Sequence, residues 1–354
     1  MWTLVAAALF SAPLVLAAEG GFIGAAACRS CHPSQFASQS ASGHARALFR
    51  AAAHPLAGQF ASLGPLNRGP DFHFQFEMAG AGLRVRADDG RYVMELPVEW
   101  AFGAGDHAVT FVSKVSPEFY LEHSFSYYPA EGLLDLTPRH DLLPSGTLNQ
   151  AMGQPIKTRG PGATIQDCFG CHSTGPVTVS SSGEVQVTEP GIHCEVCHGA
   201  GSAHREAAIR GDVAQAGRLI DNPGKLSSEE LNRFCGRCHR VIGPTFDWDS
   251  PWSVRHQPPY LSRSSCFRKS GGKLSCLSCH DPHQKFIRGD AVYYRDRCIA
   301  CHNAGDHPPS KTCLAQKDLN CTRCHMPAVT FNSHLTFANH WIGIYKEDKR
   351  KPVR

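Results

Sequence analysis

The chain has 354 residues and a formal net charge of +4 at pH 7, an excess too small to indicate nucleic acid binding. Hydrophobic residues make up 42% of it, which is ordinary for a globular protein, and 33 Gly and 24 Pro predict many turns. The 16 cysteines and 20 histidines are the features that need an explanation.

The amino terminus predicts a secretory signal peptide over residues 1–18. MWTLVAAALFSAPLVLAAEG is an apolar run that ends in small residues. No Lys or Arg precedes the run, so a retained membrane anchor is the alternative, but the run is short and Pro13 interrupts it. The sequence indicates no further membrane span, and we expect the mature chain in the periplasm or outside the cell.

Residues 19–163 are expected to form an N-terminal region with a helix and a small antiparallel sheet over residues 70–130. SQFASQSASGHARALFRAAA (34–53) predicts a helix that carries His44. Alternating apolar and polar residues predict strands at FHFQFEM (72–78), GLRVRA (82–87), RYVMELP (91–97), HAVTFVSKV (107–115) and FYLEHSFSYY (119–128). A hairpin turn is expected at 88–90, and a linker rich in Pro and Gly at 137–163.

Residues 164–354 are expected to form a second region with short helices. Ser227 and Glu230 have the spacing of a capping box, which predicts a helix through SSEELNRFCGRCHR. The Ala-rich segment 202–220 predicts another helix, interrupted at Gly211. The expected fold class is mainly α and irregular, with a small antiparallel β region in the N-terminal half.

Seven C-x-x-C-H motifs use fourteen of the sixteen cysteines. In chain order they are Cys28-Cys31-His32, Cys168-Cys171-His172, Cys194-Cys197-His198, Cys235-Cys238-His239, Cys276-Cys279-His280, Cys298-Cys301-His302 and Cys321-Cys324-His325. Two cysteines at this spacing can form thioethers with the vinyl groups of one haem, and the adjacent histidine then binds its iron as the proximal ligand. Zinc sites and redox-active cysteine pairs are the alternatives, but neither requires a histidine directly after the second cysteine of each pair. The sequence therefore predicts seven haem c groups, six of them closely packed in residues 164–354.

Thirteen histidines remain as candidates for the second axial position of each iron. Methionine is scarce, since Met1 belongs to the leader and Met326 directly follows a proximal histidine. Bis-histidine ligation is therefore expected for most of the haems.

The extended motifs resemble those of the multihaem c-type cytochrome superfamily that includes hydroxylamine oxidoreductase and its tetrahaem electron-acceptor cytochrome. The matching segments lie between residues 22 and 340 and are FIGAAACRSCHPSQF with the later SGHA, FGAGDHAVTF, CEVCHGAGSAH, CLSCHDPH, CTRCHMP and HLTFANH. The resemblance implies a multihaem cytochrome c fold and, as distal iron ligands, His44, His107, His204, His283 and His334. It also implies that a histidine just after one motif serves a neighbouring haem.

The other histidines and cysteines are ranked below these. His307 and His340 are the next candidates for distal ligands, followed by His123, His140 and His256, whereas His193 is expected to be structural and His54 and His73 to be bystanders. Cys266 and Cys313 lie outside the motifs and suggest a disulfide in an oxidising compartment, with free thiols as the alternative.

Three functions follow from these patterns. The first is a chain of haems that carries electrons between redox partner proteins. The second is an oxidoreductase that acts on a nitrogen or sulfur compound at one haem with an open coordination site, although no catalytic residue is indicated. The third is a subunit of an extracellular cytochrome filament, in which neighbouring cytochromes or copies of the chain would be the partners.

Overall fold

A computed structural model describes residues 21–239, 246–302 and 320–353. The predicted signal peptide, His307 and Cys313 lie outside these residues. The described residues form helices and several antiparallel sheets. Their strand content is higher than the expected mainly α fold class implies. No helix in these three ranges is long and apolar enough to cross a bilayer.

The N-terminal half contains two antiparallel sheets. The strands in chain order are Leu48–Arg50 (β1), Leu66–Arg68 (β2), Phe72–Ala79 (β3), Gly82–Asp88 (β4), Val93–Val98 (β5), Trp100–Phe102 (β6), Val109–Lys114 (β7), Phe119–Tyr128 (β8), Leu133–Leu136 (β9) and Gly153–Lys157 (β10). One sheet has the order β2-β3-β4-β5, and the other has β1-β6-β7-β8-β10, with β9 also paired to β8. The five predicted strand segments and the hairpin at 88–90 are confirmed.

Aromatic side chains of the two sheets pack together and form the main core. The ring of Phe74 lies 5.1 Å from that of Phe125, and the ring of Phe76 lies 5.0 Å from that of Phe111. All four are almost fully buried because the apolar positions of each strand alternate toward the facing sheet. Burial of one such side chain contributes about 1.5–3 kcal/mol, so these rings make a large contribution to the stability of the N-terminal half.

Two local predictions were wrong. The helix expected over 34–53 ends at Ser40, and His44 lies in a turn before β1, which pairs with β6. The Ser- and Gly-rich sequence around Gly43 disfavours a helical conformation. The residues of β1 are extended instead because they pair with a strand more than fifty residues away. The predicted linker at 137–163 contains β10, which pairs with β8 from Gly153 to Lys157.

Short helices surround the sheets and make up most of the later chain. They are Pro33–Ser40 (α1), Ala57–Ser62 (α2), Leu148–Met152 (α3), Ile165–His172 (α4), Cys194–His198 (α5), Ser202–Ile209 (α6), Val213–Ala216 (α7), Ser228–His239 (α8), Gln257–Arg263 (α9), Ser265–Lys269 (α10), Ala291–His302 (α11) and Cys321–His325 (α12). The capping box at Ser227 and the interruption at Gly211, whose φ is +80°, are confirmed.

Small two-stranded sheets lie between these helices. Their strands are Ser173–Thr174 (β11), Thr178–Val179 (β12), Val185–Gln186 (β13), Glu189–Pro190 (β14), Ala328–Thr330 (β15) and Thr336–Ala338 (β16). A second apolar cluster joins the sheet that contains β6 to α4, because Phe169 packs edge-on against Trp100 at 4.9 Å and Phe102 at 5.2 Å. The sheet region and the second motif therefore share one apolar cluster.

His123 on β8 should make the stability of the sheets depend on pH. The side chain is 2% exposed, its Nε2 lies 2.7 Å from the Ser113 hydroxyl, and burial lowers its pKa to about 3. The unfolded chain takes up a proton below about pH 6.5 while the folded chain does not, so stability is lost as the pH falls. In the wild type, His123 should lower the free energy of unfolding by about 2 kcal/mol between pH 7 and pH 5. This part of the decrease should be absent in His123→Gln, as measured by urea titration at both pH values.

The matched control is His73→Gln, on the exposed face of the neighbouring sheet. An unchanged pH dependence in His123→Gln, or an equal change in both variants, would contradict the assignment to His123.

Candidate multihaem site

Each of the seven motifs lies in or beside one short helical segment. Numbered in chain order, motifs 2, 3, 4, 6 and 7 lie on α4, α5, α8, α11 and α12. Motif 1 follows a 3-10 turn at Ala25–Cys28, and motif 5 begins with one at Cys276–Ser278. A helical turn places residues i, i+3 and i+4 on one face, so both thiols and the imidazole can reach a single haem. The amide of His32 bonds to Cys28 O at 2.9 Å, and that of His280 to Cys276 O at 3.0 Å, which closes this turn.

Four motif histidines each lie opposite a histidine from a distant part of the chain. The ring centroids are 6.3 Å apart for His32 and His204, 6.1 Å for His239 and His44, 6.0 Å for His198 and His283, and 6.3 Å for His280 and His340. Metal–imidazole bonds are about 2 Å long and the nitrogen lies about 1 Å from its ring centre, so two rings on one iron have centroids about 6 Å apart. The four pairs therefore have the spacing that one iron between two imidazoles requires.

Backbone carbonyls hold several of these rings through the other ring nitrogen. The Nδ1 atoms of His198 and His204 lie 2.8 Å from Asp221 O and Ala216 O, and that of His340 lies 3.0 Å from Ala338 O. A carbonyl can only accept a hydrogen bond, so Nδ1 carries the proton and Nε2 keeps its lone pair. The second ring nitrogen is thus available to bind a metal ion.

Motif histidines outside the four pairs are oriented in the same way. Nδ1 of His172 lies 3.1 Å from Ala47 O, and Nδ1 of His325 lies 2.8 Å from Gly343 O. Desolvation by the surrounding protein is the main cause that lowers the pKa of five imidazoles, those of His44, His172, His239, His280 and His340. A lowered pKa favours the neutral ring, which is the form that binds iron.

Glu195, inside motif 3, connects this motif to the chain around motif 1. Its carboxylate is 3% exposed and accepts hydrogen bonds from the amides of Ile23 at 3.0 Å, Gly24 at 2.8 Å and Gly201 at 2.8 Å. Three charge-assisted bonds offset the cost of burying the charge. The carboxylate therefore joins the chain just before motif 1 to the start of α6, the helix that carries His204.

Motif 4 contacts three other motifs. Cys171 Sγ of motif 2 lies 3.9 Å from Arg237 O, and the Arg237 side chain donates to Val196 O of motif 3 at 3.1 Å. Asn232, on the same helix α8, lies 3.8 Å from Cys276 Sγ of motif 5.

Further contacts connect motif 5 to motif 6 and motif 6 to motif 7. The hydroxyl of Tyr293 on α11 donates to Cys279 O at 3.3 Å, and α11 packs against α12 with the Cys298 and Cys321 thiols hydrogen-bonded. The motifs therefore form one continuous set of neighbours.

Two of the expected distal ligands have other partners. His334 stacks on Tyr128 at 4.2 Å between ring centroids, and its Nε2 lies 2.8 Å from Asp135 Oδ2. Nε2 of His107 lies 2.9 Å from an Arg288 nitrogen. Ligation by either residue would require these contacts to open, and both assignments stay predictions.

Among the lower-ranked candidates, Nε2 of His123 lies 2.7 Å from the Ser113 hydroxyl, and Nε2 of His140 lies 3.1 Å from Glu122 Oε2. Cys266 is half-buried on α10, and the predicted bridge stays untested because Cys313 lies outside the described residues, as does His307. His193, expected to be structural, has Nε2 3.0 Å from Pro190 O. Glu195 and the carbonyls that orient the rings were not foreseen, because a buried carboxylate or a backbone oxygen has no sequence motif.

Comparison with known proteins supports the interpretation of these motifs as haem attachment sites. Residues 144–199, which include motifs 2 and 3, match the family described as cytochrome c554 and c-prime. The dissimilatory sulfite reductase MccA of Wolinella succinogenes is 28% identical over 181 residues, which covers 39% of this chain and 22% of that protein. The chain thus spans about a fifth of the length of this relative.

A similar fold occurs in the outer cell wall cytochrome OcwA. The structures agree with a TM-score of 0.53 over 91% of this chain and 79% of that one, at 15% sequence identity. Together with the seven motifs, these likenesses support a multihaem c-type cytochrome. They support an electron-transfer or other redox role for it.

Proposed function

We propose that the protein is a heptahaem cytochrome of the superfamily that includes hydroxylamine oxidoreductase, and that it carries electrons between redox partner proteins in the periplasm or outside the cell. The observation that carries this proposal is the set of four opposed imidazole pairs at 6.0–6.3 Å. Two strong ligands on each of these four irons would leave no position for a substrate there, and this suits transfer of electrons without bond chemistry.

The haems would supply iron that accepts and releases one electron, and the chain supplies their attachment, orientation and surroundings. The seven cysteine pairs would hold them covalently, with His32, His172, His198, His239, His280, His302 and His325 as proximal ligands. His44, His204, His283 and His340 would be distal ligands in four of the seven sites. His107, His334 and His307 are proposed for the remaining irons.

The contacts between motifs support a continuous route. A distal histidine that lies near another motif in sequence would place the two haems side by side, as we propose for His204 with motifs 1 and 3 and for His283 with motifs 3 and 5. Motif 4 would be a junction, since its helix contacts motifs 2, 3 and 5.

The experiment that tests the proposal is spectroscopy of purified holoprotein. The pyridine haemochrome absorbance per chain should give seven haems, and the oxidised protein should show mainly low-spin EPR signals. Carbon monoxide should leave the spectrum of the reduced protein almost unchanged. A majority of high-spin haems, or far fewer than seven per chain, would contradict the proposal.

An oxidoreductase with one open iron is the second candidate. The observation that favours it is the match to a protein named as a sulfite reductase. One high-spin haem of seven that binds carbon monoxide, together with turnover of sulfite, nitrite, hydroxylamine or tetrathionate, would establish this function.

A further inference from the structure

The positive charge of the chain is concentrated around motifs 5 and 6. Residues 263–302 contain eight Lys and Arg side chains and three Asp side chains, whereas the whole chain has 35 basic and 31 acidic residues. The excess of cations in this one stretch is therefore larger than the net charge of the whole protein. Such a concentration creates a local positive potential that extends over about one Debye length, or about 10 Å at 0.1 M salt.

The centre of this surface is a turn that joins α10 to motif 5. Arg268 and Lys269 end α10, and Lys273 closes the turn, with all three side chains exposed. Gly271 and Gly272 have positive φ angles, and a Cβ atom on either would meet nothing within 4 Å, so the turn projects into solvent. Within the described residues none of these three cations forms an ion pair, so the repulsion among them is not relieved.

The acidic residues nearby already have local partners. The carboxylate of Asp281 accepts from the amide of His283 at 2.9 Å and from the Gln284 side chain at 2.8 Å. Asp290 accepts from the amide of Tyr293 at 2.9 Å, and Asp296 forms an ion pair with Arg295 at 2.7 Å. Among the described residues, none of the three carboxylates forms an ion pair with a cation of the turn.

Apolar side chains beside the turn connect the surface to motif 5. Leu277 lies inside the motif and is 39% exposed, and Phe286 is 49% exposed while its ring lies 5.4 Å from the imidazole of His280. An apolar centre with a charged rim is typical of an interface where two proteins meet. Phe286 therefore lies at the surface and in contact with the motif 5 imidazole.

We propose that this surface docks an acidic redox protein, which exchanges electrons with the haem of motif 5. The proposal rests on the proposed electron-transfer function and names the class of partner. Charge complementarity steers the encounter and can raise association rates by 10-fold to 1,000-fold at low salt. The haem that Cys276, Cys279 and His280 would hold would supply one electron to the oxidised partner, and would itself be oxidised by one electron as the partner is reduced by one.

The test uses two blue-copper proteins of opposite charge as oxidants of the reduced holoprotein. Plastocyanin is the acidic probe and pseudoazurin is the basic one, and stopped-flow absorbance follows the copper band. The triple variant Arg268→Gln, Lys269→Gln, Lys273→Gln is compared with Arg91→Gln, Lys157→Gln, Arg210→Gln, which removes the same charge from exposed positions elsewhere. We expect the first variant to react with plastocyanin about 10-fold more slowly at low salt, with the difference vanishing at high salt.

The control variant should change this rate by less than about twofold, and pseudoazurin should react with both variants at least as fast as with the wild type. Equal slowing in both triple variants would overturn the proposal, because net charge alone would then explain the effect. A shifted haem spectrum with unchanged rates would also overturn it, since the cations would then neutralise haem propionates. If neither probe is reduced by the wild type, the electron-carrier function itself fails.

Discussion

Replacement of His204 by alanine is expected to convert one haem from low-spin to high-spin and to make it bind carbon monoxide. His204 lies opposite His32 with 6.3 Å between ring centroids, and Ala216 O holds its Nδ1 at 2.8 Å. Alanine offers no ligand, so the iron would keep only its proximal histidine and an open position. One of seven haems should change in the EPR spectrum and in the carbon monoxide difference spectrum, while the haem content stays the same.

Two further variants make the result specific. His204→Met should keep the iron low-spin and raise the reduction potential of that single haem, because a thioether ligand favours the ferrous state more than imidazole does. His73→Ala removes an exposed histidine from the sheet and should leave both spectra unchanged. A fully low-spin His204→Ala protein would show that His204 is no ligand.

Replacement of Glu195 by alanine is expected to lower the free energy of unfolding strongly. The buried carboxylate accepts from three backbone amides, and alanine would leave these donors without their acceptor. Hydrogen bonds to a charged group contribute roughly 1.5–3 kcal/mol each, so we expect a loss of at least about 4 kcal/mol in the free energy of unfolding. The measurement is urea unfolding of the holoprotein followed by circular dichroism.

The same substitution should loosen the His32–His204 pair. Glu195 joins Ile23 and Gly24 near motif 1 to Gly201 at the start of α6, so its loss frees the two histidines to move apart. Glu195→Gln keeps one acceptor oxygen and should lose less stability, and Glu206→Ala on the exposed face of α6 should lose little. Equal stability of Glu195→Ala and Glu206→Ala would contradict the role given to this carboxylate.

The strands were the best predicted part of the fold. The alternation in FHFQFEM and GLRVRA is local, and it directly reflects which side chains of a half-buried strand face the core. The division into two sheets was not predictable, because β1 and β10 are short and depend on pairing with β6 and β8 far along the chain. For the same reason, residues 42–50 form a turn and a strand rather than the expected helix.

The candidate haem site was likewise predictable only in part from the sequence. The prediction of seven attachment points rests on five consecutive residues each time, since both cysteines and the histidine lie on one helical turn. Which histidine lies opposite which motif depends on the packing of segments separated by up to 195 residues, as for His44 and His239. His334 shows the limit of local similarity, because its ring contacts Tyr128 and Asp135 rather than a motif histidine.

The sequence by itself determined that this chain presents seven C-x-x-C-H units and a strand-rich segment between the first two of them. Both features are properties of neighbouring residues, which covalent spacing and side-chain alternation already specify. The tertiary structure alone decided the imidazole pairs and the burial of the Glu195 carboxylate. Each of these depends on distances between segments that only the packed core brings together.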